Sequence, residues 1–437
     1  MIRAVAAGLG LGGALALADG ALSAQPLSAV PWLSESIRVE RSPPPRRPSI
    51  AVLPPVPGTE QITVTPLGEV SHEAVGTMSP AETGLPRNLW GPATALDVRA
   101  AIQQHPDDGV PAARDLFRKL LLAEADPPSG SGVSASVLLA RIDRLLAMGA
   151  LGDAEALIER AGPDAPELFR RWFDIGILTN NAEAPCAALR QNPALSPTLP
   201  ARVFCLARGG DWNAAEITLV LGEEIGAISA DDQPLIARFL DPALFELDEA
   251  EVPIPEPLTP LDFLMREAVG LARPAGPLPV AFLHHDLDEH APLRSRIEAA
   301  ERLTLSGGVA PARLMKAYRA GTPAASGGVW DRAAAVQALD AALAQNNRIG
   351  PSLVAAEAQL ADRGLRVALA ETYGGALASL DPASLGPAGR EAAFRLLLLA
   401  GRPADARSMA PTPMTATAVT LLAVAGGGTR ARPEDDL

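Results

Sequence analysis

The sequence predicts an all-α protein: an irregular α-solenoid of helical hairpins, degenerate and tetratricopeptide-like, behind an extended N-terminal segment. Three observations carry that prediction. Apolar residues recur at helical spacing from about residue 92 onward, no alternating β-branched run follows that point, and a Gly/Ala hairpin motif recurs four times. The chain has 437 residues, of which 48% are hydrophobic and 4% aromatic, enough for two to four domains or one elongated array. Its net charge of −14 argues against a nucleic-acid binder, and its two cysteines exclude a disulfide scaffold or a multi-thiolate metal domain.

Taken in order, the chain opens with a segment that reads as a secretory signal peptide over 1–24. Arg3 precedes an apolar run at 4–18, and Gly20, Ala21, Leu22, Ser23 and Ala24 supply small residues for cleavage after Ser23 or Ala24. Asp19 ends the run short of the ~20 residues that a spanning helix needs, so no transmembrane anchor is expected after cleavage. Gly8, Gly10 and Gly13 match a dinucleotide fingerprint, but within a signal peptide they are composition only.

Residues 25–88 are rich in proline, including Pro43, Pro44, Pro45, Pro54, Pro55 and Pro57, and predict an extended or disordered tether. Over 25–58, Arg38, Arg41, Arg46 and Arg47 against Glu35 and Glu40 leave a net +2, so the acid excess belongs to the body downstream. Two islands interrupt the tether. Trp32, Leu33 and Ile37 form one, and Ile62 and Val64, in a β-branched stretch at 61–67, form the other. Both are candidates for docking onto a partner; the alternative is that they fold back as a brace on this chain's own helices.

The body predicts helices at 115–122, 136–148, 167–178, 261–271, 296–305, 331–343 and 391–399. A helical lobe at 89–251, a Pro-rich break at 252–260, a second lobe at 261–425 and a disordered tail at 426–437 follow from the punctuation. The hairpin motif stands at Leu145/Gly149/Ala154/Leu157, Cys205/Gly209/Ala214/Ile217, Leu303/Gly307/Ala312/Met315 and Leu397/Gly401/Ala406/Met409. Glycine ends the first helix of each pair, and alanine keeps the second slim where the two cross. Cys186 and Cys205 fall on neighbouring helices of one hairpin, where an oxidising compartment would close them into a structural disulfide; the alternative is two separate buried thiols.

The search for chemistry is short. His284, His285, Asp286, Asp288, Glu289 and His290 form the one cluster of ligand-type residues, but their spacing fits no zinc signature; they read as a polar helix end capping the next helix near Pro292. No phosphate-binding loop, nucleophile elbow or zincin motif occurs, so neither a catalytic residue nor a cofactor is assigned.

The blocks Thr83-Gly84-Leu85-Pro86-Arg87-Asn88-Leu89-Trp90-Gly91, Phe169-Arg170-Arg171-Trp172-Phe173-Asp174 and Phe204-Cys205-Leu206-Ala207-Arg208-Gly209-Gly210-Asp211-Trp212, with 120–128 and 325–332, resemble a family of exported alphaproteobacterial proteins. Its members are sometimes labelled "antifreeze glycopeptide polyprotein", a label that follows from Ala-rich composition, since no run of Ala-Ala-Thr repeats occurs here. The resemblance implies export and brings no assigned activity. In architecture the chain is also similar to a periplasmic helical protein that assists flagellar motor stators in rhizobia. The expectation is a periplasmic, non-enzymatic scaffold that binds another cell-envelope protein through a helical-repeat surface or its N-terminal motifs. The alternatives are a cell-wall hydrolase or transferase, a flagellar-motor accessory protein, and a metal or small-ligand carrier.

Overall fold

Proline and glycine punctuate the body. In the computed structural model, which describes residues 30–33, 71–106, 109–131, 135–243 and 252–426, Pro111, Pro166, Pro260 and Pro311 each stand at the first position of a helix. There the missing N–H costs nothing and the fixed φ suits the first turn. Thr94 with Asp97 and Thr259 with Asp262 form capping boxes that start two helices. Prolines in the body therefore often begin helices.

The first half holds α1 (Pro80–Thr83), α2 (Ala95–Gln104), α3 (Pro111–Leu122), α4 (Ser136–Ala147), α5 (Leu151–Ala161), α6 (Pro166–Leu178), α7 (Glu183–Gln191), α8 (Leu199–Arg208), α9 (Trp212–Glu224), α10 (Gln233–Leu240) and α11 (Pro260–Ala268). The second holds α12 (Leu293–Ser306), α13 (Pro311–Arg319), α14 (Val329–Gln345), α15 (Ile349–Asp362), α16 (Arg366–Ala378), α17 (Gly386–Leu399), α18 (Pro403–Ala406) and α19 (Ala416–Ala425). No strand occurs among the described residues; extended pairing is limited to the isolated bridges Met78–Ala123 and Thr94–Ser129. Successive helices pack as pairs, α4 on α5, α8 on α9, α12 on α13, α14 on α15 and α16 on α17, which makes the fold an irregular helical-hairpin solenoid. No helix among the described residues is long and apolar enough to cross a membrane.

All four copies of the Gly/Ala motif lie at helix–helix junctions. Gly149 and Gly307 take the left-handed conformation, φ +75° and +80°, that closes a helix. In the second copy the left-handed residue is Gly210 and not Gly209, so the frame slips by one: Ala215 and Leu219 are buried, and Ile217, expected inside, is 59% exposed. In the third copy the longer turn starts α13 at Pro311 and leaves Ala312 exposed, while Met315 is buried as expected.

Apolar side chains form three main cores. The first joins α2–α6 with Phe263, Phe282 and the short N-terminal segment; the second joins α6–α11; the third runs through α12–α19. Helix α6 belongs to two of them, giving Leu168, Ile175 and Leu178 to the first and Phe169, Phe173 and Ile177 to the second. A helix shared in this way is buried along most of its length, and its charged residues Arg170, Arg171 and Asp174 are buried with it.

Two expected boundaries move. Ordered structure begins upstream of 88, because buried Glu73 accepts hydrogen bonds from the N–H groups of Val137 and Leu138 at 3.1 and 2.8 Å and so caps α4, whose own N-cap, Ala135, has no side-chain oxygen. Buried Arg141 answers by donating to the carbonyls of Leu121, Val75 and Ala123, which ties 71–78 to the end of α3; burial pulls this guanidinium down to about 10 against the attraction of Glu73. Residues 252–260 do not divide the cores either. Arg266 donates to the carbonyls of Val252 and Pro253, and just beyond them Leu261 and Met265 enter the second core while Phe263 enters the first. The change of core falls later, around the 3-10 segment Val280–Leu287.

Candidate functional site

The site is built where two repeat turns meet. A Cβ on Gly308 would stand 2.7 Å from the carbonyl oxygen of Gly149, and one on Gly149 would stand 2.9 Å from Leu303, so the first and third motif copies abut with no room for side chains. His284 Nε2 lies 2.6 Å from the same Gly149 oxygen and clamps the junction as a donor. Burial pulls this imidazole below its ordinary value, which keeps the ring neutral. Arg114 crosses from α3 to the end of α12 and donates to Leu305 O at 2.5 Å and Gly109 O at 3.3 Å.

Above this junction opens a cleft of about 590 Å³. Helix α3 lines it with Arg114, Asp115, Arg118 and Lys119, the start of α5 with Gly152 and Asp153, the α12–α13 turn with Thr304 and 307–310, and α16 with Val367, Ala368 and Glu371. The spacing Asp115, Arg118, Lys119 places all three on one side of α3. Arg118 is committed, since its Nε and Nη2 donate to both oxygens of Asp153 at 2.5 and 2.6 Å. Asp115 and Glu371 bring like charges to the cleft from two helices. Burial, and then Asp115, push the Glu371 carboxyl above its ordinary value. Among the described residues no His, Cys or Ser lines this cleft; its polar lining is Thr304, the carboxylates of Asp115, Asp153 and Glu371, and the cations Arg114, Arg118 and Lys119.

The docking candidates are distributed differently from one another. Trp32 and Leu33 are 6% and 5% exposed inside the first core, with the Trp32 ring edge-on to Phe282 at 5.5 Å. Their apolar surface is spent within the molecule, as in the brace reading. Ile37, Ile62 and Val64 lie outside the described residues, as do the segment expected to be a signal peptide and the tail beyond Gly426. Cys186 on α7 and Cys205 on α8 form a disulfide with Cα atoms 5.1 Å apart.

The polar cluster at 284–290 is not the helix cap expected of it. His285 meets the Phe263 ring, Asp286 takes Arg273, and His290, almost fully exposed, pairs with Asp288, while α12 begins after Pro292 with no side-chain cap. The three imidazoles diverge, and no group of metal-ligand type occurs among the described residues.

Sequence reasoning missed the buried ionic groups. Arg171 and Asp143 form a fully buried bidentate pair at 2.6 and 2.9 Å. Buried Glu301 accepts from Tyr318 and Arg332 and pairs with Arg363; buried Glu357 pairs with Arg395 and Arg366. Separations of 17 to 62 residues leave no local signal for the Glu301 group. Comparison with family models, with curated proteins and with solved structures gives no match.

Proposed function

We propose that this chain is a non-enzymatic scaffold of the cell envelope that holds a segment of another envelope protein in the cleft between α3, α5, α13 and α16. One observation carries the reading: an open cleft at the junction of the two halves presents Asp115 and Glu371 together, which suits a Lys or Arg side chain of the partner between them. Support for the compartment comes from the signal-like N-terminus and from the disulfide, which persists in oxidising environments. The helical-pair architecture suits such a role because stacked helix pairs in general present extended binding surfaces.

A second reading, a cell-wall hydrolase, is favoured by the same two carboxylates, since glycoside hydrolysis uses an acid with a raised pKa beside a second carboxylate. Purified protein incubated with murein separates the two. The scaffold reading expects no released fragments from the wild type; release that disappears in Glu371→Gln would replace it with the hydrolase.

A further inference from the structure

Among the described residues helix α9 exposes an apolar face. Its inward side is Ala215, Leu219 and Gly222, with Ile228 folded tightly over Gly222. Its outward side shows Ile217, Val220 and Leu221 at 59%, 50% and 59% exposure, with Trp212 at 52% and Ile225 at 73% at its two ends. An exposed apolar patch of this kind marks an interaction site.

The charges around the patch state what covers it. Asp211, Glu216, Glu223 and Glu224 flank the apolar residues, and α9 carries no Lys or Arg. A two-fold pairing of α9 with a second copy would set Glu216 of one chain beside the Glu224 end of the other, an arrangement that like charges oppose. We infer that the outward face of α9 is a docking surface for an amphipathic helix of another protein whose apolar stripe is flanked by Arg or Lys. Residues 217, 221 and 225 follow one i, i+4 ridge with 220 beside it, which a second helix packs along. This surface stands apart from the cleft and does not rest on the cleft's occupant.

The probe is a labelled 18-residue amphipathic peptide, made with a leucine stripe and arginine flanks, beside the same peptide with glutamate flanks, each titrated by fluorescence anisotropy into the full mature chain. The arginine peptide is expected to bind at least about tenfold more tightly, with the gap narrowing in high salt. Ile217→Lys with Leu221→Lys is expected to abolish binding without lowering the melting temperature, because both side chains face solvent. Glu216→Gln with Glu224→Gln is expected to keep apolar binding and lose the preference. Glu371→Arg leaves peptide binding intact, which separates this surface from the cleft. Equal affinity for the two peptides, no binding to the wild type, or a chain dimer that Ile217→Lys dissociates would each overturn the inference.

Discussion

The two halves of the molecule hold their helices together by different means. In the first half, aromatic pairs set the helix positions: Phe173 on Phe204, Phe204 on Phe239, Phe263 on Phe282, and Trp32 on Phe282. The disulfide and the sealed Arg171–Asp143 pair lie in the same half. In the second half, alanines and glycines bring backbones close, as where a Cβ on Gly350 would stand 2.0 Å from Leu385 O. Carboxylate hubs at Glu301 and Glu357 then fix the register. Large rings tolerate irregular helix angles by filling the gaps, whereas small residues demand close, nearly regular packing. The difference teaches that a solenoid without a strict repeat still needs specific positional devices, and that the two halves weight them differently: close-approach glycines such as Gly76 also occur in the first half, but the ring pairs and the disulfide are concentrated there.

The largest expected effect probes the two kinds of ionic device. Asp143→Ala leaves fully buried Arg171 with only the longer Glu167 carboxylate contact, 3.5 Å, and the Glu167 carbonyl, and is expected to cost about 3–5 kcal/mol in denaturant unfolding. Glu301→Ala leaves Arg332 and Arg363, 14% and 45% exposed, able to turn to water and takes the acceptor from the buried Tyr318 hydroxyl, and is expected to cost about 1.5–3 kcal/mol. A larger loss at Glu301 would break the distinction between sealed and solvent-relieved pairs. Next comes reduction of Cys186–Cys205, whose loop spans 19 residues; a loss of about 3 kcal/mol is expected, with hydrogen exchange accelerating in α7–α9 and unchanged in α14–α17. Uniform acceleration would show the halves to be one cooperative unit.

Smaller again is Gly350→Ala, expected to cost about 1–3 kcal/mol by overpacking, against no loss for Gly152→Ala, whose Cβ would meet nothing within 4 Å. Equal costs would remove the close-approach account of the second half. The smallest effect lies at the joint. The folded pKa of His284 sits below its ordinary 6.5 because burial disfavours the imidazolium, so the unfolded chain takes up the proton first as pH falls. His284 therefore stabilises fully above about pH 6.5, and that contribution shrinks as pH drops below it, with a slope of at most ~1.4 kcal/mol per pH unit. His284→Gln is expected to flatten this part of the stability–pH curve, read by urea midpoints between pH 5 and about pH 8; an unchanged slope would place the titration elsewhere.

Much of the fold was legible in the sequence because helix periodicity and turn glycines are local. The segments expected at 136–148, 167–178 and 331–343 differ from Ser136–Ala147, Pro166–Leu178 and Val329–Gln345 by at most two residues at either end. The Cys186–Cys205 pairing was legible too, since both residues flank one short connection. What was hidden depends on long-range placement. The 252–260 prolines read as a lobe break, yet Pro260 starts a helix whose two faces enter two cores. The cleft joins residues from 111 to 371, and no spacing rule brings Asp115 to Glu371. The slip from Gly209 to Gly210 changed which side of α9 faces out, and with it the exposure of Ile217.

The central claim is that the cleft seats another protein. A photocrosslinking amino acid at Val367, on the cleft wall, tested in cells beside one at exposed Arg294 on α12, addresses it most directly. The account predicts one discrete crosslinked partner from position 367, none from 294, and loss of the product when Glu371 is changed to Arg. No product from 367, with murein fragments released by the wild type and not by Glu371→Gln, would contradict it.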